Sequence, residues 1–378
     1  MRTTHVGSLP RPSRLLDLMK ARASGTQTDE AEYEREVRHA VMQCVDKQAA
    51  SGIDILNDGE QSKPGFFTYI RERLAGFEAR PGRRSENKFA AEVNAFPEYY
   101  EKYFRDAMMG GSAVPNVPVA CTGPITYRGE KALERDIENL KTAAAAHPEN
   151  TAFMTSVAPS GVGTNEYYKD EEEFFHALAS ALRVEYRAIL DAGFVLQIDD
   201  PFLSENFGDE SLSQTQQVAR AEMYVEAINE AIRALPSERI RLHTCYGINE
   251  GPRIHEAPLA TVAPYMLRVN VGAYSFEAAN PRHEHEYHLW ETVRLPEGRA
   301  LIPGVITHAS NIVEHPELIA ERILRYAKSV GRENVIAGAD CGFSSQATYN
   351  PEVHPKIVWA KFEAMGEGAE IASRKLWA

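Results

Sequence analysis

The segment His243-Thr244-Cys245 sets an imidazole and a thiol two residues apart. Side chains alternate along a β-strand, so the two share one face while Thr244 turns to the other, and both can approach one ion. Imidazole and thiolate are preferred ligands of zinc. Cys341 follows a separate apolar run at 334–337 and precedes Gly342, which makes it a third donor arriving from a second strand end. A fourth ligand is left to a carboxylate or to an exchangeable group of a substrate. Taken alone, the His-x-Cys pair reads as a buried cysteine beside a hydrogen-bonded histidine; Cys341 turns the reading toward a metal.

A second cluster, residues 282–288, packs His283, His285 and His288 together with Glu284 and Glu286. Its histidines are offset by two and three positions, so at most two share a helical face. The segment reads as a solvated, charged helix start. Cys44 falls in an apolar helical stripe and Cys121 inside an apolar strand, and both read as core.

The elements that must carry these groups repeat one pattern three times: an amphipathic helix, a glycine, a short apolar strand and a reactive cluster. The first has Val37, Ala40, Val41 and Cys44 at helical spacing, then Gly52, the strand 53–56 and Asp58-Gly59-Glu60. The second runs from Gly193 through the strand 194–198 to Asp199-Asp200-Pro201, and the third from Gly331 through 334–337 to Asp340-Cys341-Gly342. Further strands are expected at 5–8, 119–122, 152–156, 241–245, 267–271 and 301–306, most separated by helical stretches. This alternation predicts an α/β fold with a parallel sheet, and the number of units favours a (β/α)8 TIM barrel. Nine candidate strands compete for eight places, so either the first or one of the pair at 119–122 and 152–156 lies outside the ring. Residues 82–117, rich in charged and aromatic side chains, read as an insertion. One domain over 1–378 is expected.

Active sites of such barrels form at the carboxyl ends of the strands. The polar residues expected there are Ser8, Glu60, Asp199 with Glu205 just beyond, His243, Cys245, Glu277, His308 and Cys341. The 378 residues carry 41 Lys and Arg against 54 Asp and Glu, a net charge of −13. That balance leaves no general footprint for nucleic acid or an anionic membrane and favours a small-molecule substrate. Four cysteines are too few for a disulfide framework and suit a reducing compartment. With neither a signal-like start nor an apolar run of about 18 residues, a cytoplasmic protein is expected.

The ordered set THVGSLPRP, ILNDGEQ, GPIT, LQIDDPFLSE, LHTC, GVITH and ADCG resembles the catalytic barrel of cobalamin-independent methionine synthase, from Thr4 to Gly342. The resemblance implies a (β/α)8 barrel whose zinc ion binds a thiol substrate as its thiolate. It places the zinc ligands on His243, Cys245, Cys341 and Glu277, the homocysteine contacts on Ser8, Glu60, Asp199 and Glu205, and the acid that protonates a departing methyl donor on His308. The family's full-length enzymes have two barrels and this chain has room for one, which leaves the methyl donor open between a folate and a corrinoid on a partner protein. Three acids suit the ammonium of an amino-acid thiol. The family's compact relatives include epoxyalkane:coenzyme M transferase, an alternative whose sulfonate substrate calls for basic residues such as Arg11 and Arg282.

Overall fold

The computed structural model describes residues 1–26, 28–82, 89–108, 111–247 and 250–378. Ten strands are present among the described residues: β1 Ile55–Leu56, β2 Leu74–Ala79, β3 Val119–Tyr127, β4 Thr151–Val157, β5 Thr164–Asn165, β6 Val195–Asp199, β7 Ile240–Thr244, β8 Ala273–Phe276, β9 Ala300–Ile306 and β10 Gly338–Ala339. Seven of them form a curled sheet in the order β1-β4-β6-β7-β8-β9-β10, with every neighbour parallel. The amino-terminal segment reaches both of its edges. Thr4 N–H donates to Ala337 O at 2.8 Å, Ala337 N–H to Arg2 O at 2.9 Å, and Ile55 N–H to Thr3 O at 3.1 Å.

Parallel strands need crossovers, and the chain supplies them as helices that bury one stripe against the sheet. Helix Glu171–Asp191 shows how. Asp170 caps it by accepting from Glu173 N–H, three glutamates occupy its first turn, and Leu178, Leu182, Tyr186 and Ile189 recur at spacings of three and four on its buried face. Each buried leucine or isoleucine contributes about 1.5–3 kcal/mol relative to exposure. Helix Gln214–Ala231 starts from a capping box between Ser213 and Gln216.

The competition for places resolves against 119–122. That run belongs to β3, which pairs antiparallel with β2 and parallel with β5 in a separate three-stranded sheet. The excursion is therefore wider than 82–117, because the paired strands β2 and β3 flank it. Residues 83–88 and 109–110 of that expectation lie outside the described residues. Arg73 fastens the excursion to the helices Glu130–Ala144 and Glu171–Asp191: it is ion-paired to Asp136 and, at 3.0 Å, to Glu185, and Glu185 also accepts from Tyr69 and Tyr127.

Residues 267–271 form no strand. They follow the short helix Leu259–Met266, and their apolar side chains Val269 and Val271 are buried by packing rather than by pairing. The ladder begins at Ala273, after Gly272. At the amino terminus the pairing falls on Arg2–Thr4, ahead of the expected 5–8.

Candidate active site

Seven of the expected residues, Ser8, Glu60, Asp199, Glu205, His243, Cys245 and Cys341, line one cavity of about 460 Å³. Strand ends place them. Asp199 closes β6, His243 lies in β7 with Cys245 just past it, and Cys341 follows β10. Ser8 packs against Gly342, the neighbour of Cys341, because Gly342 has no side chain; a Cβ there would lie 2.0 Å from Ser8 Oγ.

His243, Cys245 and Cys341 are buried, and their donor atoms lie within 4.8 Å of one another. His243 Nδ1 is 3.1 Å from Ser275 Oγ, whereas Nε2 is buried without a hydrogen-bond partner. An orphaned buried ring nitrogen costs about 1–3 kcal/mol unless something binds it. Burial, reinforced by the charge of Arg241, lowers the His243 pKa to about 3, so the ring is neutral and can act as a ligand. Cys245 is pushed well above the usual thiol range by its hydrogen bond with Cys341 and by burial. A dication between the two sulfurs would reverse that shift.

Two carboxylates line the same cavity, Asp199 standing beside His243 on the neighbouring strand. Glu60 has a left-handed backbone, φ 54°, a conformation costing a non-glycine residue roughly 1–3 kcal/mol. One oxygen accepts from Thr155 Oγ at 2.6 Å, and Oε2 is buried without a partner. Asp199 accepts from Gln197 Nε2 at 2.7 Å, and its pKa is raised well above the carboxylate range by burial and then by the charge of Glu60. Two adjacent buried acids of this kind are relieved by a bound cation. Glu205, on helix Phe202–Gly208, is accommodated by Gly247, where a Cβ would lie 2.5 Å from its Oε1. Phe66, Phe67, Phe89, Phe104, Phe202 and Phe343 supply apolar wall, Phe89 and Phe104 coming from the excursion.

Glu277 and His308 do not line the cavity. They form a second buried group with Asp340, again with donor atoms within 4.8 Å of one another. Asp340 accepts from Ala278 and Ala279 N–H at 2.7 Å each and from Asn280 Nδ2 at 3.1 Å. Burial lowers His308 to about 3 against the opposing charge of Asp340, which leaves it neutral. Residue types and spacing do not single out Arg253, Asn280 or the phenylalanine wall. Asp340, next to Cys341, carries a signal by position; Arg253, in a loop, carries none.

The histidine-rich segment is only partly the solvated helix start expected. His285 and His288 are exposed, but His283 is buried, 2.9 Å from Glu256 and 2.7 Å from Glu286. Arg11 and Arg282 do not line the cavity: Arg11 donates to the carbonyls of Glu60, Lys63 and Ser344, and Arg282 to that of Arg253.

Residues 1–85 and 151–358 match the family described as "Cobalamin-independent synthase, Catalytic domain". The chain belongs to this family. The methionine synthase of Sulfurisphaera tokodaii is 23% identical over 381 residues, covering 99% of this chain and 93% of that protein. That of Saccharolobus solfataricus is 24% identical over 380 residues, covering 99% and 95%. In fold, the chain is similar to a B12-independent methionine synthase from Shewanella sp. W3-18-1 solved in complex with selenomethionine, with a TM-score of 0.72, 21% identity and coverage of 99% and 98%. Residues 86–150, which include the phenylalanines of the excursion, fall outside the part matched to the cobalamin-independent synthase family.

Proposed function

We propose that this protein is a zinc-dependent thiol S-methyltransferase that methylates homocysteine to methionine. The observation that carries the reading is the convergence of His243, Cys245 and Cys341 in a cavity also lined by Glu60 and Asp199. His243 Nε2 and the two sulfurs match zinc in type, and the unpartnered nitrogen fits an absent ligand. Zinc bound there supplies a Lewis acid that holds a thiol, normally protonated below about pH 8.5, as its thiolate.

The chain's own residues then orient the substrate. Glu60 and Asp199 receive the ammonium, Ser8 and Glu205 bound the remaining space, and the phenylalanine wall keeps water from the reacting sulfur. Proton delivery to a departing amine falls to His308, which is not among the residues lining the cavity and would have to take up a proton as the donor binds. The reading includes a single domain with a closed (β/α)8 ring, Arg2–Thr4 standing as its eighth strand, in a cytoplasm that suits four free cysteines. The named relatives, both methionine synthases, support the reaction.

Coenzyme M as the acceptor is less favoured, since no lysine or arginine lines the cavity among the described residues. The test crosses homocysteine and coenzyme M with folate and corrinoid donors on zinc-loaded protein. Turnover with homocysteine is expected. Turnover with coenzyme M alone would replace the proposal.

A further inference from the structure

The row of side chains one strand period below the cavity is polar, whereas such rows in barrels are usually filled by branched apolar residues. Thr155, Gln197 and Arg241 are register neighbours on β4, β6 and β7, two residues before Val157, Asp199 and His243, and all three are buried. Lys63, also buried, reaches into the same row. These four side chains form two runs of hydrogen bonds that end on the two carboxylates of the cavity. Lys63 Nζ donates to Thr155 Oγ1 at 2.8 Å, and that hydroxyl donates to Glu60 Oε1 at 2.6 Å. Arg241 Nε donates to Gln197 Oε1 at 2.8 Å, and Gln197 Nε2 donates to Asp199 Oδ1 at 2.7 Å. Gln197 Nε2 donates to Val6 O as well, which locks the orientation of the amide. In both runs a buried cation is followed by one neutral side chain and then by an acid.

Neither cation is paired with a carboxylate among the described residues. Lys63 also donates to Thr155 O at 2.8 Å and lies over the Tyr69 ring, 4.3 Å from its centroid. Arg241 donates to Thr4 Oγ1 at 2.9 Å and His5 O at 2.8 Å, and lies over the Phe153 ring at 3.6 Å. A buried cation near an acid ordinarily pairs with it, since each then offsets the other's loss of water. Here a hydroxyl and an amide stand between them. A group that accepts a hydrogen bond from a cation donates more strongly in turn, so each linker passes the cation's pull on to its acid. The carboxylate nevertheless keeps an open side: Glu60 Oε2 is buried with no partner. We infer that Thr155 and Gln197 are positioning residues for the substrate's ammonium group, each orienting one carboxylate toward the cavity while holding a buried cation out of pairing distance. The inference rests on the reading of Glu60 and Asp199 as the ammonium site. Thr155 and Gln197 do not line the cavity, so they act through those acids.

The test measures, by calorimetry on the zinc-loaded protein, the binding of homocysteine and of 4-mercaptobutanoate, the same thiol acid without its amino group. The wild type should prefer homocysteine. Thr155→Val keeps the side chain's shape but removes the hydroxyl, which lets Glu60 turn toward Lys63. The preference should then fall by about ten- to a hundredfold, the worth of a hydrogen bond to a charged group, with homocysteine binding weakened and 4-mercaptobutanoate binding unchanged. Thr155→Ser should restore it. Gln197→Met should act in the same direction through Asp199, and it supplies the measurement if Thr155→Val does not fold. A preference retained in either folded variant overturns the inference and leaves the ammonium site standing. Equal weakening of both thiols, or no restoration by Thr155→Ser, also overturns it, because a merely structural role would behave that way. A wild type without any preference removes the ammonium site itself and the inference with it.

Discussion

At the scale of single residues, the two cysteines are the sharpest point of attack. Each supplies one of three soft or borderline donors, and removing one leaves too few to hold zinc tightly. Cys245→Ser and Cys341→Ser should each lose the metal from a protein that otherwise carries about one zinc per chain, as read by elemental analysis; full zinc in both would remove the centre. His308→Asn should keep its zinc and its thiol affinity while folate-dependent turnover falls by about 10²–10⁴, the usual worth of a positioned acid. A corrinoid donor leaves without needing that proton, so the same variant should be nearly as active as wild type with it. The three proposed metal donors are legible in the amino-acid sequence, because strand alternation alone sends residues 243 and 245 to one face and Cys341 ends a second strand. The partner of Glu277 is not. Arg253 takes a left-handed backbone in a loop, where no periodicity marks it, and it meets Glu256 and Glu277 through contacts that only tertiary packing creates.

Elements carry two further expectations. The 3₁₀ helix Glu284–Glu291 is anchored by His283, whose pKa is lowered by burial but lifted more by hydrogen bonds to Glu256 and Glu286, to about 9. A raised histidine stabilises the fold fully below its unfolded value of about 6.5 and loses that contribution as pH rises through the folded value. Melting temperatures should therefore fall between about pH 6.5 and 9 in wild type and stay flatter in His283→Gln; parallel curves would show that the pair of glutamates does not hold a proton there. The second expectation concerns the junction of the small sheet with the helix Glu171–Asp191. Glu185 is fully buried, and although burial opposes its charge, Arg73 and the neighbouring donors hold its pKa down at about 2. Glu185→Gln removes one partner of a buried pair and should cost about 3–5 kcal/mol in denaturant unfolding. A cost below about 1 kcal/mol would mean that Asp136 alone satisfies Arg73. Helix and strand order are readable in the sequence from apolar spacing, but 119–122 and 267–271 show its limit: a short apolar run is equally at home in another sheet or packed without pairing.

For the whole molecule, the parallel sheet and its crossovers follow from the repeated helix, glycine, strand and acid pattern. The width of the excursion does not, since β2 and β3 join only across a long gap in sequence. The union of Arg2–Thr4 with both sheet edges has a consequence for how the protein is made. Thr3 leaves the ribosome long before Ala337, its partner. Until Ala337 follows, two strand edges stay open, and Ser8 waits for Gly342 and Cys341. A nascent chain holds His243 and Cys245 long before Cys341 exists, so a metal captured early would meet only part of its site. Emergence of the segment 337–342, closure of the sheet and assembly of the three donors are one event, and a chain lacking that segment loses the closure and the donor set together.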